Sequence, residues 1–192
     1  VDDIPICRNI TTERSVPTKF SWLSGIYFWD GSGVDLTSCP TLRRVAVSVV
    51  SMHELDFAFG IGYSLPGEVQ TVMRAELSAI VTLAEYAETG SSIEYIGDNL
   101  PVIENICKGL IHCKKMSNSD LYELYFQYIE DKSINVIVKW MPSHSDEPDC
   151  KKEIPEWVIP FHVAGNDQAD RIAKRIAARC AIKDLNITRR VK

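Results

Sequence analysis

The chain has 192 residues, 45% of them hydrophobic, and a formal net charge of −5. That length supports one domain with a sizeable apolar core, and no apolar run approaches the roughly 20 residues that a membrane-spanning helix needs. Six cysteines form no C-x-x-C pair and no secretory signal opens the chain, so they read as reduced thiols rather than a disulfide framework or a zinc site.

Residues 1–21 are polar, carry Pro5 and Pro17, and read as an arm or linker. Three strands follow. Ile26–Asp30 is a short apolar run closed by the turn signal Asp30-Gly31-Ser32-Gly33. Val45, Val47 and Val49 alternate with smaller residues, and Phe57, Phe59, Ile61 and Tyr63 alternate again before Pro66-Gly67. Turns between consecutive strands predict an antiparallel meander. The period then changes to helical: Leu77, Ile80, Val81, Ala84 and Ala87 form one stripe, stopped by Thr89-Gly90. Ser92–Ile96 predicts a buried strand and Leu100–Lys108 a helix. Residues 109–119 read as a Lys-bearing loop, and Asp120 opens a further helix with Leu121, Leu124, Tyr125 and Tyr128 on its apolar face. Ile134–Trp140 is the fifth strand, residues 145–162 a long Pro-rich loop, and Ala169–Cys180 a last helix. The order predicts an α/β fold: a five-stranded mixed sheet, its first three strands antiparallel, flanked by helices.

Four acids stand out in this frame. Asp30 and Asp98 end the first and fourth predicted strands, and ligands of open α/β sheets gather at such ends. Glu76 opens the first long helix, and Asp170 sits in the predicted first turn of the last one. Each alone reads equally well as a helix cap or a dipole acid; four on one topological edge do not. Carboxylates crowded together repel unless a cation joins them. An all-oxygen ligand set suits Mg²⁺, and two such ions about 4 Å apart are the usual engine of phosphodiester hydrolysis. The charge distribution agrees. From Arg171 onward eight Lys/Arg face one Asp, giving +7, whereas residues 71–170 carry seventeen acids and eight bases, giving −9. An acidic middle followed by a basic end fits metal capture beside a phosphate-contacting surface, although a solvated helix face accounts for part of the basic stretch.

The residues around these acids resemble a type 1 ribonuclease H domain, of the kind attached to retroelement reverse transcriptases. The matching pieces are Trp29-Asp30-Gly31-Ser32, Gln70-Thr71 with Arg74-Ala75-Glu76, Gly97-Asp98-Asn99, Trp140-Met141-Pro142-Ser143-His144 and Gly165-Asn166-Asp167-Gln168-Ala169-Asp170. They lie in order within residues 22–182, leaving a basic tail at 183–192. The resemblance implies a ribonuclease H-like fold and an endonuclease that cuts the RNA strand of RNA–DNA hybrids with two Mg²⁺ ions, Mn²⁺ being able to substitute. It implies that Asp30 is shared by both ions. Glu76 and Asp98 then complete the leaving-group side, and Asp170 the water-activating side. His144 resembles a mobile histidine that assists proton transfer or product departure. Gly31, Ser32, Thr71, Arg74 and Asn99 fall at nucleic-acid-contacting positions. The implied setting is inside the cell, as a monomeric domain beside a reverse transcriptase polymerase in a retrotransposon polyprotein. Rival readings are a resolvase- or transposase-type DNA nuclease, and a degenerate domain that binds without cutting.

Two departures bear on recognition. Val72 and Met73 stand where the family often carries Asn or Gln against the RNA 2′-hydroxyl, so only backbone groups remain for that contact there. Asn99 replaces a more frequent Ser after the third acid.

Overall fold

The computed structural model describes residues 21–33, 43–145 and 153–181. The N-terminal arm up to residue 20, residues 146–152 of the long loop and the basic tail lie outside these. Five strands, β1 (Gly25–Gly33), β2 (Val45–His53), β3 (Asp56–Ser64), β4 (Ser92–Gly97) and β5 (Asn135–Trp140), form one sheet in the order β3-β2-β1-β4-β5. The β1–β2 and β2–β3 pairs are antiparallel, whereas β1–β4 and β4–β5 are parallel. The expected mixed sheet is therefore present. None of the described helices is long and apolar enough to cross a membrane.

Helices cover both faces, which is why β2 reads as a nearly continuous apolar run. On one face lie α1 (Val72–Tyr86), α2 (Leu100–Cys107), the short α3 (Leu110–Cys113) and α4 (Ser119–Asp131). There Trp29, Val45, Val47, Val49, Ile93 and Tyr95 meet Leu77, Ile80, Val81 and Leu83 of α1 and Tyr125 of α4. Helix α1 is sandwiched between sheet and α4, so all of Ala75–Ala84 is buried. On the other face α5 (Pro160–Cys180) lays Ala169, Ile172, Ala173, Ile176 and Ala177 on Phe28, Ala46, Val50 and Ile96. Each large aliphatic side chain buried this way contributes about 2 kcal/mol.

Three expectations need correction. Helix α5 begins at Pro160, so the long loop ends at residue 159 and Asp170 lies mid-helix rather than in its first turn. Pro160 looks like loop punctuation in sequence, but proline suits a helix's first positions. Gly165 looks like a break, yet it is interior. A Cβ there would lie 2.2 Å from the Phe28 ring, so glycine is what lets α5 approach β1. Residues 109–119 are not wholly loop, since α3 occupies four of them. Finally, the run of alternating residues in β3 is broken. A register shift pairs Ser51 with Phe59 but Met52 with Phe57, and Phe57 packs on the α5 face, away from Phe59, Ile61 and Tyr63.

Candidate active site

The parallel pairing of β1 with β4 ends at Phe28 opposite Ile96, whereas β1 stays paired with β2 as far as Gly33 opposite Val45. Strand β1 thus carries Asp30 past the end of the parallel ladder, and β4, ending at Gly97, delivers Asp98 beside it. Asp30 is therefore internal to β1 rather than at its end; continued pairing with β2 overrides the local turn signal. Gly97 has its own role here, because a Cβ at that position would lie 2.5 Å from the Trp29 indole.

Glu76 arrives from the covering helix. Thr71 caps α1, its hydroxyl accepting a hydrogen bond from the Arg74 amide at 3.2 Å, and Glu76 follows in the second turn, not the first. The helix presses on β1 at Gly31, where a Cβ would lie 2.6 Å from the Glu76 nitrogen and 2.9 Å from the Ala75 Cβ. Carboxylate oxygens of Asp30, Glu76 and Asp98 all fall within 4.8 Å of one another. Asp30 is 8% exposed and Glu76 3%. Burial, then the charges of Asp98 and Asp170, push the Asp30 carboxyl up to about 7. Burial, then Asp30 and Asp98, push Glu76 well above the usual carboxylate range, against the opposing hydrogen bonds from the Gly31 amide and the Asn99 side chain. Asn99 also caps α2, accepting from the Val102 amide at 3.3 Å.

Asp30 Oδ2 and Glu76 Oε2 are buried without a hydrogen-bond partner. Buried carboxylate oxygens left unsatisfied among repelling carboxylates are costly unless a cation meets them. The donor set is all oxygen, so the residues fit a hard divalent ion such as Mg²⁺.

Asp170 stands outside this close group, on α5, near enough for its charge to raise Asp30. Its Oδ2 accepts from Lys174 Nζ at 2.7 Å. Asp167 is exposed on the same helix, and Asp170 is half-buried with its charge acting on Asp30. His144 is exposed on the loop after β5, with left-handed backbone (φ 53°), a region His enters more readily than most residues. Ser32 continues β1 beyond Asp30, opposite Ala46. Arg74 makes a bidentate pair with Asp120, at 3.0 and 2.6 Å, and a 3.1 Å hydrogen bond to Asn118, tying α1 to α4. Beside Asp98 a cleft of about 450 Å³ runs between Met73, Leu100, Pro101 and Trp140.

Sequence reading misses two supports. Ser48, fully buried and opposite Asp30, donates to the Ala169 carbonyl at 2.6 Å and so pins α5 next to Asp170. Its signal is a polar residue inside the otherwise apolar run of residues 45–50. Trp140 Nε1 donates to the Asp98 carbonyl at 3.0 Å, fixing the end of β4.

No family model and no curated protein matches the sequence. Solved structures do match. The chain is similar to a foamy viral protease-reverse transcriptase in complex with dsDNA, with a TM-score of 0.57 and 15% identity over 82% of this chain and 96% of that one. The solution structure of the PFV RNase H domain gives 0.57 and 16% over 81% and 95%. The foamy viral protease-reverse transcriptase in complex with RNA/DNA hybrid gives 0.58 and 14%, over 87% of this chain but 22% of that one. The fold is the ribonuclease H fold.

Proposed function

We propose that this chain is a ribonuclease H, hydrolysing the RNA strand of RNA–DNA hybrids to leave 5′-phosphate and 3′-hydroxyl ends. The observation that carries the reading is the buried convergence of Asp30, Glu76 and Asp98, with two carboxylate oxygens unsatisfied. Asp30, Glu76, Asp98 and Asp170 would hold two Mg²⁺ ions, or Mn²⁺ in their place. Bound there, such ions supply an activated water and a stabilised leaving 3′ oxygen.

The chain's own residues do the rest. Burial of Asp30 and Glu76 keeps solvent from the inner side of the carboxylates, so their charges act at low dielectric. The Gly31 amide and Asn99 side chain hold Glu76 in place. On this reading Gly31, Ser32, Thr71, Arg74 and Asn99 would contact the nucleic acid, and Met73, Leu100 and Trp140, which line the cleft beside Asp98 with Asn99, would offer an apolar wall for sugar and base faces. His144, exposed beyond β5, passes a proton or eases product departure. Among the similar structures are protease-reverse transcriptases, one of them bound to an RNA/DNA hybrid. That association supports a setting beside a reverse transcriptase polymerase; we extend the proposal to a retrotransposon polyprotein in which the domain acts as a monomer inside the cell.

A single gel tests the proposal. Labelled RNA–DNA hybrid, double-stranded RNA and branched DNA are incubated with the chain, in Mg²⁺ and in chelator, beside Asp98→Asn. Cleavage of the RNA strand of the hybrid alone, lost in chelator and in D98N, is the expected result. Cutting of branched DNA gives the site to a resolvase-type enzyme, and binding without Mg²⁺-dependent cutting makes the domain a non-catalytic binder.

A further inference from the structure

The acidic centre contains a cation of its own. Lys174 lies four residues after Asp170 on α5 and places its ammonium 2.7 Å from the Asp170 Oδ2. An i,i+4 pair of this kind on a helix surface is ordinarily worth a few tenths of a kcal/mol, and half-exposure would keep it there. Two observations separate this pair from that ordinary case. Asp170 is an acid at the rim of a buried carboxylate cluster rather than a free surface group. The ammonium also sits close enough to the buried group for its charge to act on the Asp30 carboxyl. Lys174 thus spans the outer edge of the site, next to the position a second dication would need.

We propose that Lys174 is a positioning residue that orders cation loading: its ammonium holds the Asp170 carboxylate, so the Asp30–Glu76–Asp98 group fills first and the Asp170 side fills only when Lys174 is displaced. This rests on the metal-dependent nuclease reading above. The reason is charge. A dication among Asp30, Glu76 and Asp98 already offsets most of their mutual repulsion. A second one at Asp170 must compete with a unit positive charge at hydrogen-bond distance, a penalty near a protein surface large enough to shift binding tenfold or more. Lysine suits the task, being a compact charge on a flexible stem that can leave one oxygen for another, such as a phosphate oxygen.

The test counts ions rather than turnover. Mn²⁺ is titrated into the full chain without nucleic acid, and free Mn²⁺ is followed by electron paramagnetic resonance, for the wild type, Lys174→Gln, Lys174→Met and Lys174→Arg. The wild type should bind one ion, with a second at least about tenfold weaker. K174Q and K174M, which remove the charge from a half-exposed position, should tighten the second ion about tenfold and leave the first within about twofold. K174R, which keeps the charge, should behave as wild type. In K174Q/D170N the gained ion should disappear. Second constants that coincide in wild type, K174Q and K174M overturn the Lys174 proposal alone, as does a weaker second ion in K174Q. A wild type that binds no Mn²⁺ overturns the metal reading and the Lys174 proposal together.

Discussion

The two sides of the acidic centre are built differently. Asp30, Glu76 and Asp98 come from β1, α1 and the end of β4, elements packed through Trp29, Tyr95, Leu77 and Ile80 into one core. Their carboxylates are positioned by close backbone approach, with Gly31 under Ala75 and Glu76, and Gly97 under Trp29. Asp170 and His144 come from the opposite helix and from an exposed loop, and Asp170 is held by a half-exposed lysine. The inner side is preorganised at the expense of stability, because like charges are buried together. The outer side is adjustable. On the metal-dependent reading proposed above, binding of the first cation would be a property of the core, and completion of the site a property of the periphery.

Asp30→Asn should break the inner side outright. Activity on hybrid should fall by about 10³-fold or more if Asp30 is the shared ligand proposed above, since it loses its charge. Stability should move the other way. The folded-state value of about 7 for Asp30 lies above its ordinary 3.8, so the folded protein keeps a proton that the unfolded chain has released. In chelator this group's contribution is then fully present below the unfolded value and is lost as pH rises from about 4 through 7, by up to a few kcal/mol. Glu76, shifted in the same direction, adds to that loss. D30N should lack Asp30's share, melting higher than wild type at pH 8 in chelator, and Mg²⁺ should raise the melting temperature of the wild type far more than that of D30N. Melting curves at pH 5 and 8, with and without Mg²⁺, measure all of this. A wild type more stable at pH 8 than at pH 5 in chelator would show that the acids do not repel as their burial demands.

Gly31→Ala tests whether geometry, rather than acid content, makes the inner side. The added methyl lies 2.6 Å from the Glu76 nitrogen, so α1 and β1 must separate. Overpacking of this kind costs about 1–3 kcal/mol. Because it lifts Glu76 relative to Asp30, affinity for the first Mn²⁺ should fall about tenfold or more, whereas the Asp170–Lys174 pair across the sheet is untouched. Calorimetric titration and denaturant melts give the two numbers; loss of stability with unchanged Mn²⁺ affinity would mean that Glu76 is not a ligand.

The inner side was also the more legible in sequence. Short apolar runs mark β1 and β4 and alternation marks β2, and Asp30 and Asp98 fall where those strands deliver them, because alternation and burial are local signals. Gly31 and Gly33 imitate a turn that would end β1 at Asp30, yet Gly31 serves a helix contact more than 40 residues away in sequence. The outer side was blurred for the same reason. Pro160 and Gly165 look like breakers, yet one starts α5 and the other lets it lie on Phe28, so the helix bearing Asp170 is longer than its local pattern suggests. Arg74 makes a bidentate pair with Asp120, a tertiary partner that no local pattern announces.

Ser48→Ala probes the join between the two sides with the smallest change. The Ser48 hydroxyl is fully buried, faces Asp30 across the β1–β2 ladder and bonds the carbonyl of the residue before Asp170. Its loss should cost about 1 kcal/mol, a typical net value for one buried hydrogen bond, because the Ala169 carbonyl can still serve the helix ladder. The sheet-facing alanines of α5 hold the helix against β1 and β2 in either case, so α5 should shift by a fraction of an ångström rather than detach. That is enough to weaken the second Mn²⁺ a few-fold while the first stays within twofold, since Asp30, Glu76 and Asp98 lie on elements the hydroxyl does not touch. A few-fold loss at the first ion instead would mean that α5 helps to hold the inner carboxylates, and the division between a rigid and an adjustable side would have to be redrawn at β2.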